Sequence, residues 1–200
     1  IVEQARLRQA DVILMGRHGK SGRLSLLVGK MTAKVIAQGF PRVLVAPKDF
    51  IITGLQSWDI PIGSNAIDIA KEIAKNNRVL YVNSPLDLMT MYRNKKTPEN
   101  EHRLDVVKKF KKPIRQISEN LWVLDFPFAV WSVNGFPDGP VFDLFNRRNN
   151  KRIFNYVKKT AAELGFENPV HFIDNDIYRS FYAKEILKPR LSVYYRRDNL

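Results

Sequence analysis

The chain has 200 residues, enough to bury a core as one large domain or two small ones, and its 44% hydrophobic and 26% charged residues exclude wholesale disorder. Lys and Arg outnumber Asp and Glu by 33 to 20, a net charge of +13, so an anionic partner is expected: phosphorylated ligands, an anionic membrane surface or nucleic acid. Cysteine is absent, which excludes disulfides, thiolate metal sites and Cys nucleophiles, and no run reads as a membrane span or a signal peptide, so the expected compartment is the cytoplasm or a membrane surface facing it.

In chain order, residues 2–9 read as the end of a polar helix. Residues 11–15 form a continuous apolar run, as a strand buried on both faces requires, and a glycine-rich loop follows at 16–22. Met31, Val35 and Ile36 fall at helical spacing, Gly39 is placed to stop that helix, and 43–46 is a second buried strand entered through Pro41. Strand, helix and strand in succession make a βαβ unit. The pattern restarts after 47–49. A strand at 50–53 ends at Gly54, and Ser64 or Asn65 can cap a helix over 66–75 with Ile67, Ile69, Ala70 and Ile73 apolar. A strand at 78–82 is stopped by Asn83-Ser84-Pro85. A polar, basic segment covers 92–116, followed by a strand at 121–124 and an aromatic loop at 126–136. A long amphipathic helix is expected over 142–164, a strand over 170–173 ending in Asp174-Asn175-Asp176, a helix over 177–187 and a last strand over 191–195. Alternation of this kind predicts an α/β protein with a mostly parallel, Rossmann-like sheet flanked by helices.

Such a sheet carries its chemistry in loops beyond the carboxyl ends of its strands, here 16–22, 54–65, 83 onward, 125 onward, 174–176 and 196–198. Gly16, Gly19 and Gly29 let backbone N–H groups approach an anion, with Arg17, Lys20 and Arg23 adding charge; the alternative is plain turn geometry. Gly54 and Gly63-Ser64-Asn65 frame a second strand-to-helix turn, in which Trp58 covers the core on the simpler view. This second turn lacks the dinucleotide fingerprint and the phosphate loop of P-loop NTPases, so those classes are unsupported. Asp174 and Asp176 after one strand, and Arg196 and Asp198 after the next, would meet if the strands are neighbours. Carboxylates beside guanidinium groups can hold a sugar hydroxyl, take a proton or meet a phosphate; helix capping and structural ion pairs are the alternative. His171 is expected inside its strand. Residues 93–115 hold nine Lys/Arg against three acidic residues, net +6, beside the aromatic loop. That pairing suits the headgroup region of an anionic bilayer, the alternative being a solvated surface; no nucleic-acid motif accompanies it.

Two resemblances go further. Asp11-Val12-Ile13-Leu14-Met15-Gly16-Arg17-His18-Gly19-Lys20-Ser21-Gly22, with Leu27-Val28-Gly29, Thr32-Ala33-Lys34-Val35-Ile36 and Pro41-Arg42-Val43-Leu44-Val45-Ala46-Pro47, resembles the C-terminal part of a universal stress protein. The resemblance implies that Gly16, Arg17, Gly19 and Gly29 would surround ATP, although Lys30 stands where that family has Ser or Thr and the family's first half is not in this chain. Phe50-Ile51-Ile52-Thr53-Gly54-Leu55-Gln56-Ser57-Trp58-Asp59-Ile60-Pro61-Ile62-Gly63-Ser64-Asn65, Arg78-Val79-Leu80-Tyr81-Val82-Asn83-Ser84-Pro85, Asn120-Leu121-Trp122-Val123-Leu124 and Leu191-Ser192-Val193-Tyr194-Tyr195-Arg196-Arg197-Asp198 resemble the N-terminal domain of a bacterial glycosyltransferase of the two-Rossmann-domain (GT-B) class. That resemblance implies an acceptor-side domain, often at a membrane surface, with no tightly bound cofactor and a nucleotide sugar as the donor held by a further domain.

The expectation is therefore a composite or truncated chain. Residues 1–48 are a partial stress-protein segment, and 49–200 a glycosyltransferase domain incomplete at its C-terminus. The intact enzyme would move sugar to a glycan or lipid-linked acceptor at the inner face of the cell membrane, and this fragment would not turn over alone. Gly54, Gly63, Ser64 and Asn65 would line the cleft, while Asp174, Asp176, Arg196 and Asp198 would orient acceptor or phosphate groups. The rival expectations are an ATP-binding stress-response protein and an artificial joining of two reading frames.

Overall fold

Runs that are apolar on both faces can only be satisfied by strands covered on two sides. The computed structural model describes residues 12–14, 49–61, 64–93, 97–176 and 178–195, and the runs at 50–53, 78–82, 121–124, 170–173 and 191–195 are strands of its sheet. Its strands are β1 (Val12–Leu14), β2 (Asp49–Thr53), β3 (Arg78–Val82), β4 (Ile114–Ser118), β5 (Leu121–Leu124), β6 (Val170–Asp174) and β7 (Leu191–Tyr195). The helices are α1 (Asn65–Ala74), α2 (Leu88–Tyr92), α3 (Pro98–Val107), α4 (Pro140–Glu163) and α5 (Ala183–Leu187). Among the described residues these form one seven-stranded sheet in the order β1-β7-β6-β2-β3-β5-β4, parallel throughout except for β4, which pairs antiparallel with β5 at the edge. The architecture is α/β and Rossmann-like.

The order follows from the route of the chain. From β2 the chain moves outward through α1 to β3 and on to β5, then returns through α4 to lay β6 on the other side of β2. Right-handed crossovers in opposite directions put the two helices on opposite faces. Two cores reflect this. Ile52, Val79, Tyr81, Val123 and Phe172 pack with Ala66, Ile67 and Ala70 of α1. Ile51, Leu80, Val82 and Leu124 pack with Ile153, Phe154, Val157 and Ala161 of α4, and with Ala183 and Leu187 of α5. The period-2 alternation along β2 and β3 thus sends neighbouring residues into different cores.

Several segments depart from the sequence expectation. The basic stretch 92–116 contains α3 and β4. Thr97 followed by Pro98 is a helix start, but α3 buries little beyond Leu104 and Val106, so its periodicity is faint. The edge strand β4 is half exposed and carries Arg115 and a bulge between Gln116 and Ser118, features that discourage further pairing. The helix expected over 177–187 is reduced to α5, because a distant side chain claims the backbone ahead of it: Asn150 Nδ2 donates to Tyr178 O at 3.1 Å, and Tyr182 N donates to Asn150 Oδ1 at 3.1 Å. α4 ends in a Schellman turn, with Phe166 N donating to Ala161 O at 2.9 Å and Gly165 N to Ala162 O at 3.0 Å. Gly165 there takes a φ of +70°.

Of the first 48 residues the described part is β1, which lies beside β7 with Val12 opposite Val193. The helix and second strand expected at 31–46 fall outside the described residues.

Candidate functional site

Because the chain runs one way from β2 to β3 and the other way to β6 and β7, the sheet reverses its order between β2 and β6. A crevice opens at such a reversal, outside the carboxyl ends of the strands. A cavity of about 300 Å³ lies at this end of the sheet on the α4 side. Its floor and walls come from Leu55 after β2, Pro85 and Asp87 after β3, Val130 to Asn134 in the aromatic loop, Asn146, Asn149 and Ile153 of α4, and Asn175, Asp176, Tyr178 and Arg179 after β6.

The buried stripe of α4 explains why a cavity is here and a packed core is not. Its lower part is apolar, Ile153, Phe154, Val157 and Ala161, whereas the preceding turns carry Asn146, Asn149 and Asn150 on the same face. A helix crossing back over a parallel sheet starts at the strands' carboxyl end, so Asn146 and Asn149 reach the crevice, Asn150 ties the helix to the chain at 178–182, and the aliphatics reach the core. Asn149 grips the loop opposite in both directions: Trp131 N donates to its Oδ1 at 3.0 Å, and its Nδ2 donates to Trp131 O at 2.9 Å. The Trp131 ring, packed edge-on against Phe145 at 5.3 Å, is held half exposed on the rim.

Two carboxylates face the cavity. Asp87 caps α2, accepting from Thr90 N at 3.0 Å, from Thr90 Oγ1 at 2.7 Å and from Ser132 Oγ at 2.5 Å. Partial burial would raise its pKa, but the hydrogen bonds from Ser132, Thr90 and the α2 backbone outweigh it and hold the group below the usual carboxylate range. Ser132 is itself fixed, accepting from Met89 N at 2.9 Å. Asp176 is buried; desolvation pushes its pKa up, against the opposing effects of Arg179, whose N donates to Oδ1 at 3.0 Å, and Ser180.

Among the residues expected from sequence, Asp176 lines the cavity. Asp174 is buried beneath it, accepting from Leu55 N at 3.4 Å, and Gly54 sits next to Leu55 on the same turn. Ser64 and Asn65 stand at the start of α1, on the other face of the sheet and apart from the cavity lining; Ser64 makes no side-chain cap. Gly16, Arg17, Gly19, Gly29, Gly63, Arg196 and Asp198 lie outside the described residues, although β6 and β7 are adjacent and parallel, with Asp174 opposite Tyr195. Asp87 and Ser132 lie in the loops expected after β3 and β5 but were not singled out, and neither were Asn146 and Asn149 of α4. The asparagines were findable by extending the stripe Ile153–Val157 back by whole turns. The aromatic loop is also less free than expected, since Phe126 and Val130 belong to the core and Trp131 and Phe136 stay exposed.

Gly54 has a steric role. The buried Tyr81 ring lies where its Cβ would be, and Tyr81 OH donates to Gln56 O at 2.8 Å. Gly54→Ala is expected to cost about 1–3 kcal/mol by overpacking and to unseat the loop carrying Trp58, which packs edge-on against Tyr81 at 5.1 Å. Urea melts followed by tryptophan fluorescence would check this; a wild-type midpoint would show that the ring has room to move.

A second polar cluster braces the ends of β3 and β5. Arg115 pairs with Asp59 through Nη1–Oδ1 at 3.0 Å and Nη2–Oδ2 at 2.8 Å, and reaches the buried Asp125 at 3.4 Å. Asn83 Nδ2 donates to Asp125 Oδ1 at 2.6 Å, and Trp58 N donates to Asn83 Oδ1 at 2.8 Å. His102 Nδ1 is 3.2 Å from Asp125 Oδ2, yet burial and the Arg115 charge lower its pKa against the opposing pull of Asp125 and Asp59. No group of side chains suited to a metal ion occurs among the described residues. Comparison of the chain with protein-family models, with curated proteins and with solved structures finds no match in any of the three.

Proposed function

We propose that residues 49–200 form the acceptor-side domain of a glycosyltransferase, one that passes sugar from a nucleotide-sugar donor to a glycan or lipid-linked acceptor. Residues 1–48 are proposed to be a stress-protein-like appendage. The observation that carries this is the chemistry of the switch-point cavity. Amides and carboxylates, which exchange hydrogen bonds with hydroxyl groups, alternate with an exposed indole that can cover the C–H face of a ring. Catalysis would need the donor bound against this face by a further domain, so the 200-residue chain is expected to bind sugar without transferring it. The cavity would contribute positioning, which is where much of the rate of such a reaction arises.

The surroundings support an acceptor presented at a bilayer. Leu88, Met89, Trp131, Phe136, Val141, Leu144, Tyr178 and Phe181 are exposed around the cavity end of the molecule. The turn from Lys108 to Lys112, with Phe110 exposed, lies at the same end because Asp125 N donates to Pro113 O at 2.7 Å. No helix among the described residues is long and apolar enough to cross a membrane, so contact would be with the surface of an anionic leaflet, proposed to be the inner face of the cell membrane.

The test is ligand-detected and indole NMR on the 200-residue chain with short glycans, UDP and ATP. A glycan is expected to shift the Trp131 indole signal and leave that of Trp122 in place. Shifts with ATP or UDP and none with any glycan would overturn the assignment in favour of a nucleotide-binding protein.

A further inference from the structure

Several polar side chains lining the cavity are committed to the protein itself. Asn149 holds Trp131, Asn146 Oδ1 accepts from Asn150 Nδ2 at 3.1 Å, and Ser132 joins Met89 to Asp87. Arg179 differs. Among the described residues its guanidinium donates no hydrogen bond, and its Nε lies 3.6 Å from Asp176 Oδ2, beyond hydrogen-bond range. That carboxylate is already met by Arg179 N at 3.0 Å and Ser180 Oγ at 3.4 Å. The Arg179 side chain is 35% exposed, so its donors stand at the cavity wall without bulk water to satisfy them fully. The turn that carries it is fixed by other groups, since Asn175 N donates to Tyr195 O at 2.8 Å and Asn150 Nδ2 to Tyr178 O at 3.1 Å. The guanidinium is thus held in place without being used to hold anything.

We propose that Arg179 is the anchor for an oxyanion carried on a hydroxylated ring, a carboxylate or a phosphate, and that the cavity takes an acidic glycosyl unit. This rests on the glycan-acceptor assignment above and narrows it. The planar Nη edge of a guanidinium meets two oxygens of either acid with parallel hydrogen bonds, which no amide or hydroxyl of the lining can do. Asp87 supplies the other end. Its Oδ2 accepts from Thr90 Oγ1 at 2.7 Å, and a carboxylate oxygen has a second lone pair for a ligand hydroxyl. Asp87 follows β3 and Arg179 follows β6, with β2 between them, so the two walls stand about 10 Å apart, two strand spacings. A single ring can turn its acid to one wall and a hydroxyl to the other, which keeps the acid away from Asp87.

The test titrates methyl glucoside, methyl glucuronide and glucose 6-phosphate against the Trp131 indole signal of the 200-residue chain. At least one of the two anions is expected to bind about tenfold or more tightly than methyl glucoside, and the tighter of them tells carboxylate from phosphate. Arg179→Gln is expected to close that gap while leaving methyl glucoside binding and the urea midpoint as in the wild type, and Arg179→Lys to keep part of it. Methyl glucoside binding as tightly as both anions would overturn the anchor and leave the glycan assignment standing. So would a gap that persists in folded Arg179→Gln, because the guanidinium would then not be its source. Acetate or inorganic phosphate, whichever is the ringless form of the preferred anion, is expected to bind more weakly than its ring; equal affinity would overturn the part played by the ring. Failure of every ring to move Trp131 would remove the assignment and the anchor together.

Discussion

Arg78→Met is expected to lower the free energy of unfolding by about 3–5 kcal/mol, because it strands a carboxylate that has no water to turn to. The Asp49 side chain is 2% exposed and accepts from Arg78 Nε at 2.7 Å and from Arg78 Nη2 at 2.9 Å. Its remaining bond, from Glu167 N at 2.7 Å, does not neutralise it. Arg78 also donates to Leu164 O at 3.3 Å and Gly165 O at 2.8 Å and stacks on Phe166 at 4.9 Å, so one guanidinium joins β2, β3 and the turn that ends α4. Arg78→Lys should recover only part of the loss, since an ammonium cannot span both carboxylate oxygens and two carbonyls at once. The pair stands at the amino ends of β2 and β3, across the sheet from the cavity. Urea denaturation of the variant should therefore show a lower midpoint, while ligand shifts at Trp131, measured where the protein is still folded, stay as in the wild type. A wild-type midpoint for Arg78→Met would mean that the pair contributes no net stability.

Acid should destabilise the fold through His171. The ring is fully buried in β6, 2.7 Å from Thr53 Oγ1 through Nε2 and 5.7 Å from the Phe154 ring centroid, and its Nδ1 has no partner. Desolvation depresses its pKa from 6.5 to about 3, because a second N–H would be buried without an acceptor. Between those values the unfolded chain binds a proton that the native state refuses. The stabilisation is thus complete above pH 6.5 and is lost as pH falls toward 3. From pH 7 to pH 4 this one residue should remove about 3 kcal/mol. Carboxylates add their own dependence, so the measurement is the difference between wild type and His171→Gln, which has nothing to titrate at that position. The two proteins should diverge in midpoint as pH is lowered from 7 to 4. Parallel curves would show that the ring is protonated in the native state or is not buried.

Much of the architecture could be read from the chain, for reasons specific to each element. β2, β3, β5, β6 and β7 announce themselves because a strand covered on both faces is apolar at most positions, and Gly54, Asn83 and Asp174 then mark where the chain emerges. α1 and α4 show the apolar spacing of helices packed on a sheet. α3 and β4 escaped because they bury few residues and their lysines mask what periodicity there is. The shortening of the helix before α5 depends on Asn150, 28 and 32 residues away from the backbone groups that it takes, which no local pattern can encode. At the site, Asp174 and Asp176 were located by the rule that chemistry follows strand ends. The same rule reaches the loops of Asp87 and Ser132 without singling out either residue, since their importance lies in meeting each other across 45 residues.

β2 lies between β3 and β6, and its two neighbours differ sharply in distance along the chain. β3 follows after a single helix, but the Thr53–His171 contact closes a loop of 118 residues. One edge of the central strand therefore stays open until β6 has left the ribosome, and closing it carries the entropy of ordering nearly everything in between. During synthesis the most apolar part of this sheet is an unfinished template for other strands, and α4, whose lower half covers the Ile51 face, is the element that emerges in time to shield it.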